Sequence, residues 1–188
     1  MSQTKIGFWF AHAFLLAYCL VLIAAFAVQF IGHELPWPLC MLQRMAMILV
    51  AFGPAYIISR ARHGEVTMRD YTTGYGISLI AAVAGMSMSG RQILLHISPG
   101  DPGYGSPLIG LHLYTWALVT FLIVIVFVGV SLVFANELVP GAVTFGWVSK
   151  ATLGLFLLLI AANVMMIFFL EGFHWTLPDT PTRYELIS

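Results

Sequence analysis

The chain has 188 residues, 60% of them hydrophobic and only 9% charged, and its eight basic and eight acidic residues balance to a formal net charge of zero. A soluble domain carries roughly 25% charged residues, and a chain this short cannot hide nearly every helix face inside itself. With a mean hydropathy of +0.94, the composition excludes a water-soluble domain. No basic run offers itself to a nucleic-acid backbone, so nucleic acid is excluded as a partner and membrane lipid is the first one expected.

About 20 apolar residues in a helix span the roughly 30 Å of bilayer hydrocarbon. In chain order, apolar runs predict helices over residues 8–31, 40–58, 72–95, 111–134 and 151–170. The first run is too long for the h-region of a cleavable signal peptide, and no small-residue cleavage site follows it. The third is weaker and rich in glycine and serine (Gly74, Gly76, Ser78, Gly85, Ser87, Ser89, Gly90), which suits close packing and places it centrally in the bundle. Pro140 and Gly141 form a connector between the last two spans.

Lysine and arginine set the orientation. An N-terminus in the cytoplasm puts Lys5, Arg60, Arg62, Arg69 and Lys150 inside, and Arg44, Arg91 and Arg183 outside. Five against three favours that arrangement, and five spans then put the C-terminal tail outside. The outer surface would consist of the turn at residues 32–39, the Gly/Pro-rich loop at residues 98–107, and a tail holding Pro178, Asp179 and Pro181.

The segment Trp37-Pro38-Leu39-Cys40-Met41-Leu42-Gln43-Arg44 carries the most chemistry. Pro38 suits a first helical turn, where its missing N–H costs nothing. Cys40 falls in that first turn, where the helix dipole favours an anion and so a thiolate. Arg44 lies one turn deeper on the same face. A permanent cation inside the bilayer usually faces a site or a partner, so the pair can form a pocket for a polar head group such as a quinone carbonyl. The plainer alternative has Arg44 snorkelling to lipid phosphates and Cys40 as an inert apolar residue.

The run Pro38-Leu39-Cys40-Met41-Leu42-Gln43-Arg44 resembles the bacterial disulfide bond formation protein B (DsbB) family, whose hallmark is Cys-x-x-Cys followed after three residues by Arg at the outer end of the second helix. The short first outer turn, the outer loop after the third span, and Gly90-Arg91-Gln92 are similar too. The resemblance implies an all-α membrane protein. Residues 1–134 would form a DsbB-like four-helix transmembrane bundle, and residues 135–188 a connector, a fifth transmembrane helix and a short periplasmic tail. It also implies the bacterial inner membrane, oxidation of a periplasmic thiol protein, and a quinone (ubiquinone or menaquinone) beside Arg44. The site residues it implies are Cys40 as the reacting thiol and Arg44 beside the quinone; His96, His112 and Tyr114 are candidates for the same pocket from their place at the outer boundary.

Trp37 stands where the family has its first cysteine, and residues 96–110 contain no cysteine. The other thiol, Cys19, lies about 12 residues from the end of the first span, roughly 18 Å at 1.5 Å per residue. A disulfide needs Cα atoms within about 7 Å, so Cys19 reads as a packing residue. Oxidising a dithiol takes two sulfurs, and a single thiol forms a mixed disulfide that another thiol must resolve. The sequence therefore keeps the quinone-side cysteine and lacks its partners.

His33, His96, His112 and His174 all fall at the outer boundary, where they can bind Zn, Cu or haem iron, with Met41, Met45 and Met86 as soft ligands. They suit a membrane interface equally well, alongside Trp37, Tyr114, Trp116 and Trp175. No metal set is assigned. Tyr114 and Trp116 can line a flat quinone ring or simply anchor the fourth helix. His12 and His63 carry no functional signal. Two readings stay open: a thiol–quinone oxidoreductase relative with impaired or altered activity, or a non-catalytic subunit that binds quinone, lipid or other membrane subunits.

Overall fold

Each expected span is a helix. The computed structural model describes residues 3–173 and 183–186, so His174, Trp175, Pro178, Asp179 and Pro181 lie outside the described residues. In chain order the helices are α1 (Gln3–Ile31), α2 (Pro38–Arg60), α3 (Met68–Leu95), α4 (Leu113–Val133), the one-turn α5 (Ala135–Leu138) and α6 (Trp147–Glu171). All but α5 are long and apolar enough to cross a membrane, which makes five spans among the described residues. α3 and α6 both start four residues earlier than the apolar runs suggest, because charged residues (Arg69 and Asp70; Lys150) occupy their first turns.

Trp37 is the N-cap of α2, with Pro38 at the first helical position. Farther along, Pro54 sits inside the same helix. It has no N–H to give the carbonyl four residues back, and inside a bilayer that carbonyl must find another donor. Ser78 of α3 supplies one, its hydroxyl donating to the Val50 carbonyl at 2.7 Å. The two backbones come close enough because Gly53 and Gly74 face each other, and a methyl group on either would strike the other strand of the contact. α3 packs on α4 by the same logic, with Gly85 lying under the Phe121 ring.

These glycines do not make α3 the central helix, contrary to the sequence-based expectation. α2 is central: 72% of its membrane window is buried, against 28% to 33% for the other spans. Gly76 and Gly90 have open space where a Cβ would stand, so the small residues of α3 serve two contact lines and not the whole circumference.

At the end opposite Cys40 the connectors are tied together. Glu65–Val66 (β1) pairs antiparallel with Gly141–Ala142 (β2), which gives the Pro140-Gly141 connector a partner. Thr67 and Asp70 form a capping box at the start of α3. Asp70 also pairs with Arg60 at 2.8 Å and accepts from the Tyr56 hydroxyl at 3.2 Å, which joins the end of α2 to α3. His12, 2% exposed, joins α1 to α6. Its Nδ1–H donates to the Phe8 carbonyl at 2.8 Å, so Nε2 accepts from the Ser149 hydroxyl at 3.0 Å. Nothing about His12 in the sequence indicated this clasp.

Candidate quinone-site geometry at the mouth of the bundle

A cavity of about 320 Å³ opens between the mouth ends of α1, α2 and α4, and Cys40, Arg44 and Tyr114 all line it. Its other polar walls come from Gln29 of α1, Glu34 of the first turn, Gln43 of α2, Tyr104 of the loop and Thr120 of α4, and most of the rest is aliphatic.

Arg44 is 8% exposed, and its guanidinium is partnered across the helix interface rather than snorkelled to the surface. Its Nη1–H donates to Gln29 Oε1 at 3.0 Å, its Nη2 lies 3.5 Å from the Ala25 carbonyl, and its carbon sits 4.9 Å from the centre of the Phe26 ring. Desolvating a cation costs several kcal/mol unless its donors are used. Here α1 supplies the acceptors and a ring face.

Cys40 faces an amide pair. Gln43 Nε2 donates to Gln92 Oε1 at 2.7 Å, which turns the Gln92 Nε2 toward the Cys40 sulfur at 3.5 Å. Both glutamines are buried, so the pair has no water to exchange with. Cys19 is wholly buried in the core, and both cysteines are free thiols. Cys19 is thus a packing residue, as expected.

An aromatic cluster stands at the mouth beside Tyr104, which shares the cavity with the Cys40 thiol. The Trp37 ring stacks on Tyr104 (centroids 5.4 Å apart, 19° between planes) and tilts against His96 at 5.7 Å. The Tyr104 hydroxyl donates to the Leu35 carbonyl at 2.7 Å. Burial and the nearby Cys40 and Glu34 push the Tyr104 phenol above its usual range. Asp101 folds the loop by accepting from the Gly103 N–H at 2.8 Å and contacting His96 Nδ1 at 3.1 Å. The Gly103 N–H and then His96 hold the Asp101 carboxyl below the usual carboxylate range. Gly103 has φ of +72°, and a Cβ there would meet the His112 ring and the Tyr114 hydroxyl, so only glycine fits.

His96 and His112 are not on the cavity wall. Both stack on the Tyr114 ring, with centroids at 5.7 Å and 5.2 Å, and so brace a residue that is on the wall. His112 Nδ1–H donates to the Gly105 carbonyl at 3.1 Å. Trp116 also lines the cavity while its indole N–H donates to the Leu108 carbonyl at 2.9 Å. His33 is exposed on the first turn. Among the described residues no three His, Cys, Asp or Glu side chains gather into a metal-binding group. The cavity residues that sequence reasoning missed include Gln29 and Tyr104. Gln29 did carry a signal, an amide inside an otherwise apolar run.

Fold and mouth together define an α-helical, multi-pass membrane protein that holds a thiol and a buried cation around one cavity. Residues 7–106 match the family described as disulfide bond formation protein DsbB. A Pseudomonas fluorescens protein (strain Pf0-1) named disulfide bond formation protein B 1 is 30% identical over 141 residues, covering 58% of this chain and 80% of the relative. A protein of the same name from Pseudomonas fluorescens Pf-5 is 27% identical over 168 residues, covering 71% of this chain and 96% of the relative. No solved structure matches the chain. The chain belongs to the DsbB family of membrane disulfide-formation proteins, as a divergent member that lacks most of the redox cysteines.

Proposed function

We propose that the protein binds a membrane quinone in the mouth cavity and keeps the quinone side of the family's thiol chemistry in altered form. One observation carries this reading: a largely apolar cavity of about 320 Å³, within the range typical of small-molecule sites, has the buried Arg44 and the Cys40 thiol on its wall. A quinone needs a flat apolar slot and hydrogen-bond donors at its carbonyls. Arg44 is the cation that would hold a carbonyl, and Tyr114, braced by His96 and His112, is the ring that would lie against the head group. When bound there, ubiquinone or menaquinone would supply an acceptor for two electrons and two protons.

Cys40 is the reacting thiol in this reading. Because Cys19 is buried in the core, the second sulfur of any disulfide must come from a periplasmic thiol protein. One thiol of that protein joins Cys40 in a mixed disulfide as two electrons and two protons leave. Its second thiol then displaces Cys40, restoring the Cys40 thiol and releasing the partner as a disulfide. The basic residues of the opposite end (Arg60, Arg62, Arg69, Lys150) support a cytoplasmic N-terminus and a periplasmic mouth in the bacterial inner membrane. Residues 1–134 then carry the four-span family bundle, and residues 135–188 add the connector, α6 and the periplasmic tail.

A second reading, a non-catalytic quinone- or lipid-binding subunit of a membrane complex, is favoured by Trp37. The indole replaces the thiol that would exchange with a partner, and it stacks on Tyr104 of the cavity wall. Incubation with quinone and a small monothiol, which has no second thiol to displace Cys40, separates the two, with a small dithiol as the turnover substrate. The first reading expects a trapped mixed disulfide on Cys40, absent in Cys40→Ser, with slow turnover. Complete absence of the adduct would leave the binding subunit, and turnover at an ordinary enzymatic rate would contradict the altered relay.

A further inference from the structure

The C-terminal tail returns to the mouth. The Glu185 N–H reaches the Leu170 carbonyl at 3.4 Å and the Leu186 N–H reaches the Phe169 carbonyl at 3.3 Å. These two carbonyls belong to the last turn of α6, where the helix leaves them without internal donors. Just before these two anchors in the chain, Tyr184 reaches α1, and Gln29 Nε2 donates to its hydroxyl oxygen at 3.1 Å. Gln29 is the residue whose Oε1 accepts from Arg44 Nη1 at 3.0 Å. Tyr184, Gln29 and Arg44 therefore form one chain of hydrogen bonds ending at the cavity wall.

A glutamine amide has two faces, one that accepts and one that donates, whereas arginine only donates. Gln29 holds Arg44 only when its oxygen faces the guanidinium. Turned over, it would set N–H against N–H. Gln29 is 3% exposed, so an amide N–H left there without a partner is costly. Arg44, which only donates, turns the Gln29 oxygen toward itself, and the amide N–H on the other side then needs an acceptor, which the Tyr184 oxygen supplies. We propose that Tyr184 is a positioning residue for the mouth: its oxygen anchors the Gln29 amide through the N–H that faces away from Arg44, and the anchored amide holds the Arg44 guanidinium on the cavity wall. α6 and the tail lie beyond the residues matched to the family, 7–106, so the fifth span delivers this contact from outside the matched region. The consequence for ligand binding rests on the quinone reading above. The linkage itself does not.

The test uses the full chain in lipid nanodiscs with two readouts. One is the ¹⁵N signal of the Arg44 guanidinium, assigned by its loss in Arg44→Lys. The other is titration with decylubiquinone. Tyr184→Phe keeps the ring and removes the acceptor. It is expected to shift the guanidinium signal and to weaken decylubiquinone binding by about three- to tenfold, the range one net hydrogen bond carries. Gln29→Leu is expected to do the same, and the double variant to be no worse than either single one. Arg183→Ala, which alters the tail without touching the hydroxyl, is expected to leave both readouts unchanged. An unmoved guanidinium signal in Tyr184→Phe would overturn the proposal, and so would a shifted signal with wild-type affinity. If the wild type bound no quinone, the function proposed above would fall, and the guanidinium signal alone would judge the Tyr184 linkage.

Discussion

A guanidinium can stay inside a bilayer only if its donors are used, and Arg44 uses them on α1: an amide oxygen, a backbone carbonyl and a ring face. Arg44 and Cys40 were legible in the sequence because Arg44 interrupts an apolar run and Cys40 stands one turn before it, just after Pro38 at the helix start. Gln29 interrupts one too, but nothing local says that its amide meets residue 44. Ser78 shows the same limit. A serine in a span reads as a small packing residue, and its real task, replacing the N–H that Pro54 lacks, depends on a neighbour 28 residues away. Ser78→Ala is expected to orphan the Val50 carbonyl and cost about 0.5–2 kcal/mol, as for other hydrogen bonds between buried helices. Unfolding in mixed micelles would measure it, and an unchanged midpoint would show that the carbonyl has found another donor.

At the scale of elements, apolar length located all five spans, while the charged first turns of α3 and α6 lay outside what hydropathy registers. The loop at residues 96–112 was legible as irregular from its glycines and prolines, but not as part of the cavity wall. Its shape depends on Asp101 gathering the Gly103 N–H and His96, and on Trp37 meeting Tyr104 across the mouth. Asp101 titrates below the ordinary carboxylate range, so the folded loop favours the ionised form and binds fewer protons than the free loop. That contribution is complete above the usual aspartate value of about 3.9 and is lost as pH falls through the lower folded value. Acidification from about pH 5 to pH 3 is therefore expected to loosen the loop, seen as faster amide exchange around residue 103. Asp101→Asn should exchange quickly at both pH values, and a pH-independent wild-type loop would show that the carboxylate does not hold it.

Across the whole molecule, the parts that escaped the sequence are all long-range. They are the centrality of α2, the β1–β2 stitch, the His12–Ser149 clasp and the return of Tyr184 to α1. Each joins segments far apart in the chain, and hydrophobic periodicity reports only which face of a helix avoids water. The glycines of α3 illustrate the difference. They correctly signalled close packing, but the partners they serve are α2 on one line and α4 on another, which leaves α2 as the most enclosed helix. That enclosure has a functional side, since α2 carries both Cys40 and Arg44 and is held at the mouth by α1, α3 and the tail through Gln29, Gln92 and Tyr184.

The central claim is that the mouth cavity holds a quinone through Arg44. The most direct measurement is the quinone content of protein purified from membranes, wild type against Arg44→Ala, with equal folding checked by helical circular dichroism. A substantial fraction of one quinone per wild-type chain, falling about tenfold or more in Arg44→Ala as expected for losing a charged hydrogen bond of roughly 1.5–3 kcal/mol, is the predicted result. Equal quinone content in the two proteins would contradict it.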